Sequence, residues 1–248
     1  MSGLINIRSE LAQKTSVRVI QVESDVVIPV ETASNKEEYS AKTIRGKIHK
    51  IWNYYINKEF THTHYEGKFL DGKKSDFDLD NIDRIMENLD IDKSVKKSVL
   101  FYGGENKANE LLDLFISEKL DGYNTYRNHP ELDYQSDLSP YLHFGNISSL
   151  FIAKKVLNSG KNSESSDAFL EELVIRRELA VNFVYYNKNY DNFENMTYSW
   201  AYETMKVHKD DMREYIYSVD ELENSETHDI YWNAAQNEMV LTGKMHGY

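Results

Sequence analysis

Along this chain the spacing of apolar residues changes character twice. Residues 17–31, VRVIQVESDVVIPVE, alternate and are rich in Val and Ile, a pattern that predicts one or two β-strands. No other stretch carries a convincing strand signal, and a lone strand pair cannot build a domain. Residues 1–31 therefore read as the tail of an α/β unit whose earlier strands are missing. After them, KEEYSAKTIRGKIHKIWNYYI (36–56) predicts a helix. Residues 61–104 read as a linker; the part over 61–98 is polar and charge-rich, with one short helix expected near 79–89.

From Glu105 onward the period is helical. ENKANELLDLFISEKLDGY places Leu111, Leu112, Phe115, Ile116 and Leu120 on one stripe, and Asp121-Gly122 stops it. NISSLFIAKKVLNSG follows. SESSDAFLEELVIRRELAVNFVYYN (163–187) is long enough for about six turns at roughly 3.6 residues per turn. TYSWAYETMKVHKDDMREYIY, a short SVDELEN helix and the closing THDIYWNAAQNEMVLTGKMHGY complete the run. The expected fold class is mainly α, with residues 105–248 an all-helical domain.

Composition narrows the partners. The net charge is −12, and basic residues outnumber acidic ones only within residues 1–60. A nucleic-acid partner would therefore have to rest on a local patch, because a nucleic-acid binder usually shows a broad basic footprint. The chain has no Cys, which excludes a disulfide framework and a thiolate metal site. No apolar run is long enough for a membrane span and nothing resembles a signal peptide, so the expected location is cytoplasmic, with no membrane partner. The 18 tyrosines imply many half-buried hydroxyls in need of partners.

Four clusters could carry chemistry. His62 and His64 form an HxH, but without a further ligand pattern they read as exposed loop histidines, and no metal is expected. In DGYNTYRNHPELDYQSDLSPYLHFGNISS (121–149), Ser139-Pro140 marks a helix start, with Ser136 three residues earlier. Hydroxyls at such an end suit a phosphate, although an ordinary capped helix pair accounts for the same residues. Gly145 ends the short helix, and Asn146 or Ser148 starts the next. The third cluster is Glu171, Glu172, Arg176, Arg177 and Glu178 on one helix; Glu172–Arg176 and Glu178–Asn182 are i,i+4 pairs. A solvated face explains them, yet Phe169, Leu173, Leu179, Ala180 and Phe183 share that helix, so some of the charges must approach the interior and find partners. In the closing stretch, Trp232, Ala235, Met239 and Thr242-Gly243 share a face.

The blocks YNTYRNHPELDYQSDLSPYLHFGNIS, AFLEELVIRRELAVNFVYYNKNYDNFE, MREYIYSVDELENSETHDIYWNAAQNEMVLTGKMHGY and VVIPVETASNKEEYSAKTIRGKIHKIW resemble the class II cyclobutane pyrimidine dimer photolyases, in the same order. The resemblance implies an α/β antenna domain, of which residues 1–60 would be the C-terminal remnant, a linker over 61–104, and an incomplete helical FAD-binding domain over 105–248. It implies light-driven repair: reduced FAD passes an electron to a pyrimidine dimer flipped out of DNA, and the ring splits. Tyr123, Ser136, Leu138 and Ser139 match the diphosphate-binding segment, and Arg127 the arginine four residues after that tyrosine. Glu172 matches the acid that contacts the dimer. Arg176 and Arg177 lie on the same helix, facing lesion or flavin. Trp232 resembles one of three tryptophans that relay electrons to the flavin. The antenna pigment is not identifiable.

Asp137 departs from what a diphosphate loop would favour, and the family continues past GKMHGY with further relay tryptophans and a segment closing over the flavin ring. The expectation is a monomer truncated at both ends, or a complementing fragment, with weak FAD binding and impaired repair. The rivals are a cryptochrome-like photoreceptor and a non-catalytic remnant or half of a split photolyase.

Overall fold

The computed structural model describes residues 2–59 and 80–245, so His62 and His64 lie outside the described residues. These residues form helices and connecting loops, with no β-strand among them. They fall into two compact units, one joining 1–56 with 103–211 and the other joining 57–102 with 212–248. No helix is long and apolar enough to cross a membrane, among the described residues.

The first unit contains helices α1 (Ser2–Lys14), α2 (Val30–Ala33) and α3 (Ala41–Ile56). Residues 36–40, expected to be helical, instead lead into α3, which buries Ile44 and Ile48 four residues apart. The strand expected over 17–31 does not form. Residues 15–29 are irregular, and the reason lies in their amides: those of Val27 and Ile28 donate to the Glu178 carboxylate at 2.8 and 3.1 Å rather than to a neighbouring strand. Val26, Val27 and Ile28 are nonetheless buried, whereas Val17, Val19, Ile20 and Val22 are exposed, so the apolar pattern marks buried chain only in the second half of the stretch.

Numbering in chain order, α4 (Ile82–Asn88) belongs to the second unit, and α5 (Glu105–Leu114) returns to the first. Beyond α5 the helix widens into a π turn over Phe115–Lys119, with the Leu120 N–H donating to the Phe115 carbonyl five residues back. Leu112, Phe115 and Leu120 are all fully buried. Phe115 and Leu120 would point about 140° apart on a regular α-helix; the wider turn brings both inward. A tight turn at Leu120–Gly122 then leads into α6 (Tyr123–Tyr126). A side chain at Gly122 would meet the Tyr134 ring at 2.5 Å, so glycine is required there by close approach.

Next come α7 (Ser139–His143), α8 (Ser149–Leu157) and α9 (Ser163–Leu170). Ser148 caps α8 by accepting from the Phe151 N–H at 3.4 Å, after Gly145 turns the chain at φ +68°. The long helix expected over 163–187 is present but interrupted: α9 passes through a second π turn, Glu171–Arg176, into α10 (Arg177–Tyr186). Helix α11 (Ser199–Val207) completes the unit.

The second unit holds α4, α12 (Val219–Glu223) and α13 (Ile230–Thr242). Their starts follow local rules. Asn81 accepts from the Arg84 N–H, Ser218 and Glu221 form a reciprocal capping box, and Asp229 accepts from the Tyr231 and Trp232 N–H groups. Gly243, at φ +74°, closes α13.

Candidate functional site

The candidate site is built around an aromatic cluster that joins the first π turn, α6 and α9. Phe115, Tyr123 and Phe169 pack with ring centroids 4.7–5.7 Å apart, largely edge to face. Ser165 ties α9 to α6: its hydroxyl donates to the Asp121 carbonyl at 3.0 Å and accepts from the Asn124 N–H at 3.2 Å. Tyr123 is thus buried and fixed, and burial pushes its hydroxyl up from the ordinary tyrosine range, against the pull of Arg127.

Arg127 follows one turn after Tyr123, with its guanidinium 5.7 Å from the centre of that ring. It donates to Glu172 at 3.0 Å. Burial opposes its charge, but hydrogen bonds to Tyr123 and Glu172 outweigh this and raise it above the ordinary arginine value. The Arg127–Glu172 pair therefore joins α6 to the second π turn, with the carboxylate half-exposed while the next three residues, Leu173, Val174 and Ile175, are buried. Arg176 sits between two carboxylates, with Nε 3.8 Å from Glu172 and 3.9 Å from Glu171. It also lines a groove of about 510 Å3 with Tyr39, Phe183, Met196 and Tyr198.

Of the residues expected to act, Tyr123, Arg127, Glu172 and Arg176 are thus brought together. Arg177 is not placed with Glu172: its guanidinium donates to the Asp25 carbonyl. Ser136, Leu138 and Ser139 lead into α7. Ser139 is not the cap; it is the first helical residue, and the buried Leu138 precedes it without a side-chain cap. Ser136 Oγ accepts from the Leu138 N–H at 3.4 Å, and Asp137 between them takes a left-handed φ of +56°. Trp232 lies in the second unit, 39% exposed, in the first turn of α13.

Sequence reasoning missed two features. Arg45 of α3 forms a bidentate pair with Glu171, at 3.0 Å from Nε and 2.6 Å from Nη2. These hydrogen bonds hold the Glu171 carboxyl below its ordinary range against the opposing effect of burial. No local spacing signals a partner 126 positions away. The second is the inner stripe of α10. Glu178, Asn182 and Tyr186, four apart, bind the backbone of residues 27–38: Asn182 accepts from the Glu38 N–H at 2.7 Å and donates to the Lys36 carbonyl at 3.0 Å, and Tyr186 donates to the Ser34 carbonyl at 2.7 Å. The Glu178–Asn182 spacing was visible in the sequence; its burial was not.

No protein-family model matches the chain. It is 41% identical over 250 residues to a deoxyribodipyrimidine photo-lyase of Methanothermobacter thermautotrophicus, covering 99% of this chain and 54% of that protein. It is 42% identical over 239 residues to a deoxyribodipyrimidine photo-lyase of Oryza sativa, covering 94% and 46%. A protein of the same name from Potorous tridactylus is 37% identical over 238 residues, covering 94% and 43%. The chain spans about half the length of these relatives. A class III photolyase structure from Agrobacterium tumefaciens superposes with a TM-score of 0.58 at 17% identity, covering 99% of this chain and 49% of that one, which shows a shared fold.

Proposed function

We propose that this chain serves light-driven DNA repair, as in class II cyclobutane pyrimidine dimer photolyases, with FAD as cofactor and dimer-containing DNA as substrate. The observation that carries the reading is the Tyr123–Arg127–Glu172 constellation: an arginine and a carboxylate from separate elements, 3.0 Å apart, beside a buried tyrosine. The identity to several photo-lyases over nearly the whole chain supports it. In this reading residues 1–60 belong to an antenna-type domain, 61–104 to the linker and 105–248 to the flavin-binding domain, and the protein acts as a monomer in the cytoplasm.

The residues present suit FAD. Ser139 exposes its hydroxyl on the first turn of α7, where backbone N–H groups favour an anion, and Ser136 lies half-buried beside it. Asp137 opposes a diphosphate and makes the affinity weak. Reduced FAD, when bound, supplies the excited electron that opens the dimer. The chain's own residues orient and stabilise: Tyr123 and Arg127 set one wall, and Arg127 holds the Glu172 carboxylate where it can accept from an N–H of a dimer base, while the guanidinium beside it can donate to a carbonyl on which negative charge develops. Arg176 and Arg177 are assigned to the substrate and cofactor sides of that helix, and Trp232 to electron relay.

The test is anaerobic illumination of the chain, saturated with reduced FAD and a dimer-containing oligonucleotide, with strand products resolved by chromatography. Blue light should restore undamaged thymines, slowly, and Glu172→Gln should lower the yield about tenfold, or about 1.4 kcal/mol. Dimers left intact at saturation would sink the reading.

A further inference from the structure

We infer that Arg45 is a positioning residue for Glu172, acting through Glu171 and the π turn; this rests on the proposed role of Glu172. The turn Glu171–Arg176 holds one more residue than an α-helical turn, with the Arg177 N–H donating to the Glu172 carbonyl five residues back. Such turns are unfavourable by themselves and persist where the surroundings over-determine them. Here the entry to the turn is held from two sides. Glu171 is gripped by Arg45 from α3 and Glu172 by Arg127 from the end of α6. Beneath them Leu173, Val174 and Ile175 are buried, which fixes the face of the turn that looks inward.

The two successive carboxylates also share a third cation. Arg176 Nε stands nearly equidistant from Glu171 and Glu172, beyond hydrogen-bond reach of both. Arg45, by occupying both Glu171 oxygens, keeps that carboxylate from capturing Arg176. Without Arg45, Glu171 is left with an unmatched, three-quarters-buried carboxylate whose nearest remaining cation is Arg176. Drawing Arg176 toward Glu171 moves it off the Glu172 side and removes the reason for the turn to hold its present register. Arg45 therefore sets both the orientation of Glu172 and the position of Arg176 without touching the dimer itself. A bidentate guanidinium is the side chain suited to this, because its planar fork meets both carboxylate oxygens at once.

The experiment uses the full chain and two readouts. Hydrogen exchange on the chain alone reports the turn: Arg45→Ala and Glu171→Gln should speed exchange of the amides of residues 175–177 about tenfold, while those of Phe183–Tyr186 keep their rates, with Arg45→Lys intermediate because an ammonium cannot form the fork. The second readout is the ratio of affinities for a short duplex with one thymine dimer and the same duplex undamaged. Arg45→Ala and Glu171→Gln should lower this ratio about tenfold, equivalent to about 1.4 kcal/mol. The swap Arg45→Glu with Glu171→Arg should restore most of it. Unchanged exchange in the turn overturns the inference whatever the DNA result. An unchanged ratio in Arg45→Ala while Glu172→Gln loses it overturns the inference and leaves the proposed function standing. A ratio that Glu172→Gln also leaves unchanged overturns both.

Discussion

At the scale of single residues, Glu178 shows how one side chain can replace a sheet. It is 3% exposed, takes the Val27 and Ile28 amides on Oε1, and leaves Oε2 without a hydrogen bond. Burial pushes its carboxyl up to about 7, outweighing those amides and the nearby Arg177, with Glu23 adding to the rise. The folded chain thus binds a proton here that the unfolded chain releases near 4.5. Stability therefore falls as pH rises from about 4.5 to about 7, by an amount on the order of 3 kcal/mol. Urea unfolding across that window should show the decline, and Glu178→Gln should flatten it; an equal slope in both proteins would refute the assignment. Glu38 has the opposite sign. Burial opposes its charge, but hydrogen bonds from Lys47, Ser34 and Thr43 prevail and hold it down to about 2. Its contribution is present above 4.5 and is lost as pH falls toward 2. Asp137 offers a third check, because Asn keeps its shape and tolerates the left-handed φ of +56°. Asp137→Asn should tighten FAD binding about three- to tenfold in a flavin anisotropy titration, and looser binding would show that Asp137 does not repel the diphosphate.

At the scale of elements, the helical period located nearly everything that packs by an apolar stripe. Leu112, Phe115 and Leu120 were placed inside from their spacing, and α8 begins at Ser148, one of the two starts its sequence offers. The π turns were not legible, because an inserted residue leaves the surrounding pattern almost intact. The strand over 17–31 was misread for a physical reason as well. Alternation reports apolar positions, whereas a strand also needs a backbone partner; here the Glu178 carboxylate on α10 takes the Val27 and Ile28 amides, and Asn182 extends the clamp to residues 36 and 38. Asn182 is the sharpest test of that clamp, since it is fully buried and serves both a donor and an acceptor. Asn182→Ala should cost about 1–3 kcal/mol, chiefly from the buried Glu38 N–H left unpaired, the Lys36 carbonyl being only part-buried. Asn182→Asp should also destabilise the chain, because the Lys36 carbonyl then loses its donor. A loss below about 1 kcal/mol in Asn182→Ala would mean that the 27–38 segment is held by its apolar burial instead.

For the whole molecule, charge and fold pull in different directions. The net charge of −12 gives DNA no general attraction, while the candidate site gathers arginines at one place: Arg127 and Arg176 beside Glu172, with Arg45 one carboxylate away. All three guanidiniums already face carboxylates, which weakens what each can offer a phosphate. Tyr123, Arg127 and Glu172, which the structure brings together, lie in the stretches of sequence that carry the resemblance. The pairing of Arg45 was not legible in the sequence, because its partner is set by the packing of α3 rather than by any spacing. If recognition rests on this small patch, binding to undamaged DNA should be weak and should release few counterions. The slope of log affinity against log salt should then be shallow, about −2 to −3, matching two or three phosphate contacts at about −0.9 each. Fluorescence anisotropy across a salt series measures it. A slope near −7 would require a basic groove larger than these residues supply. A shallow slope with a clear preference for dimer-containing DNA would place selectivity in pocket contacts rather than in the electrostatic field of the chain.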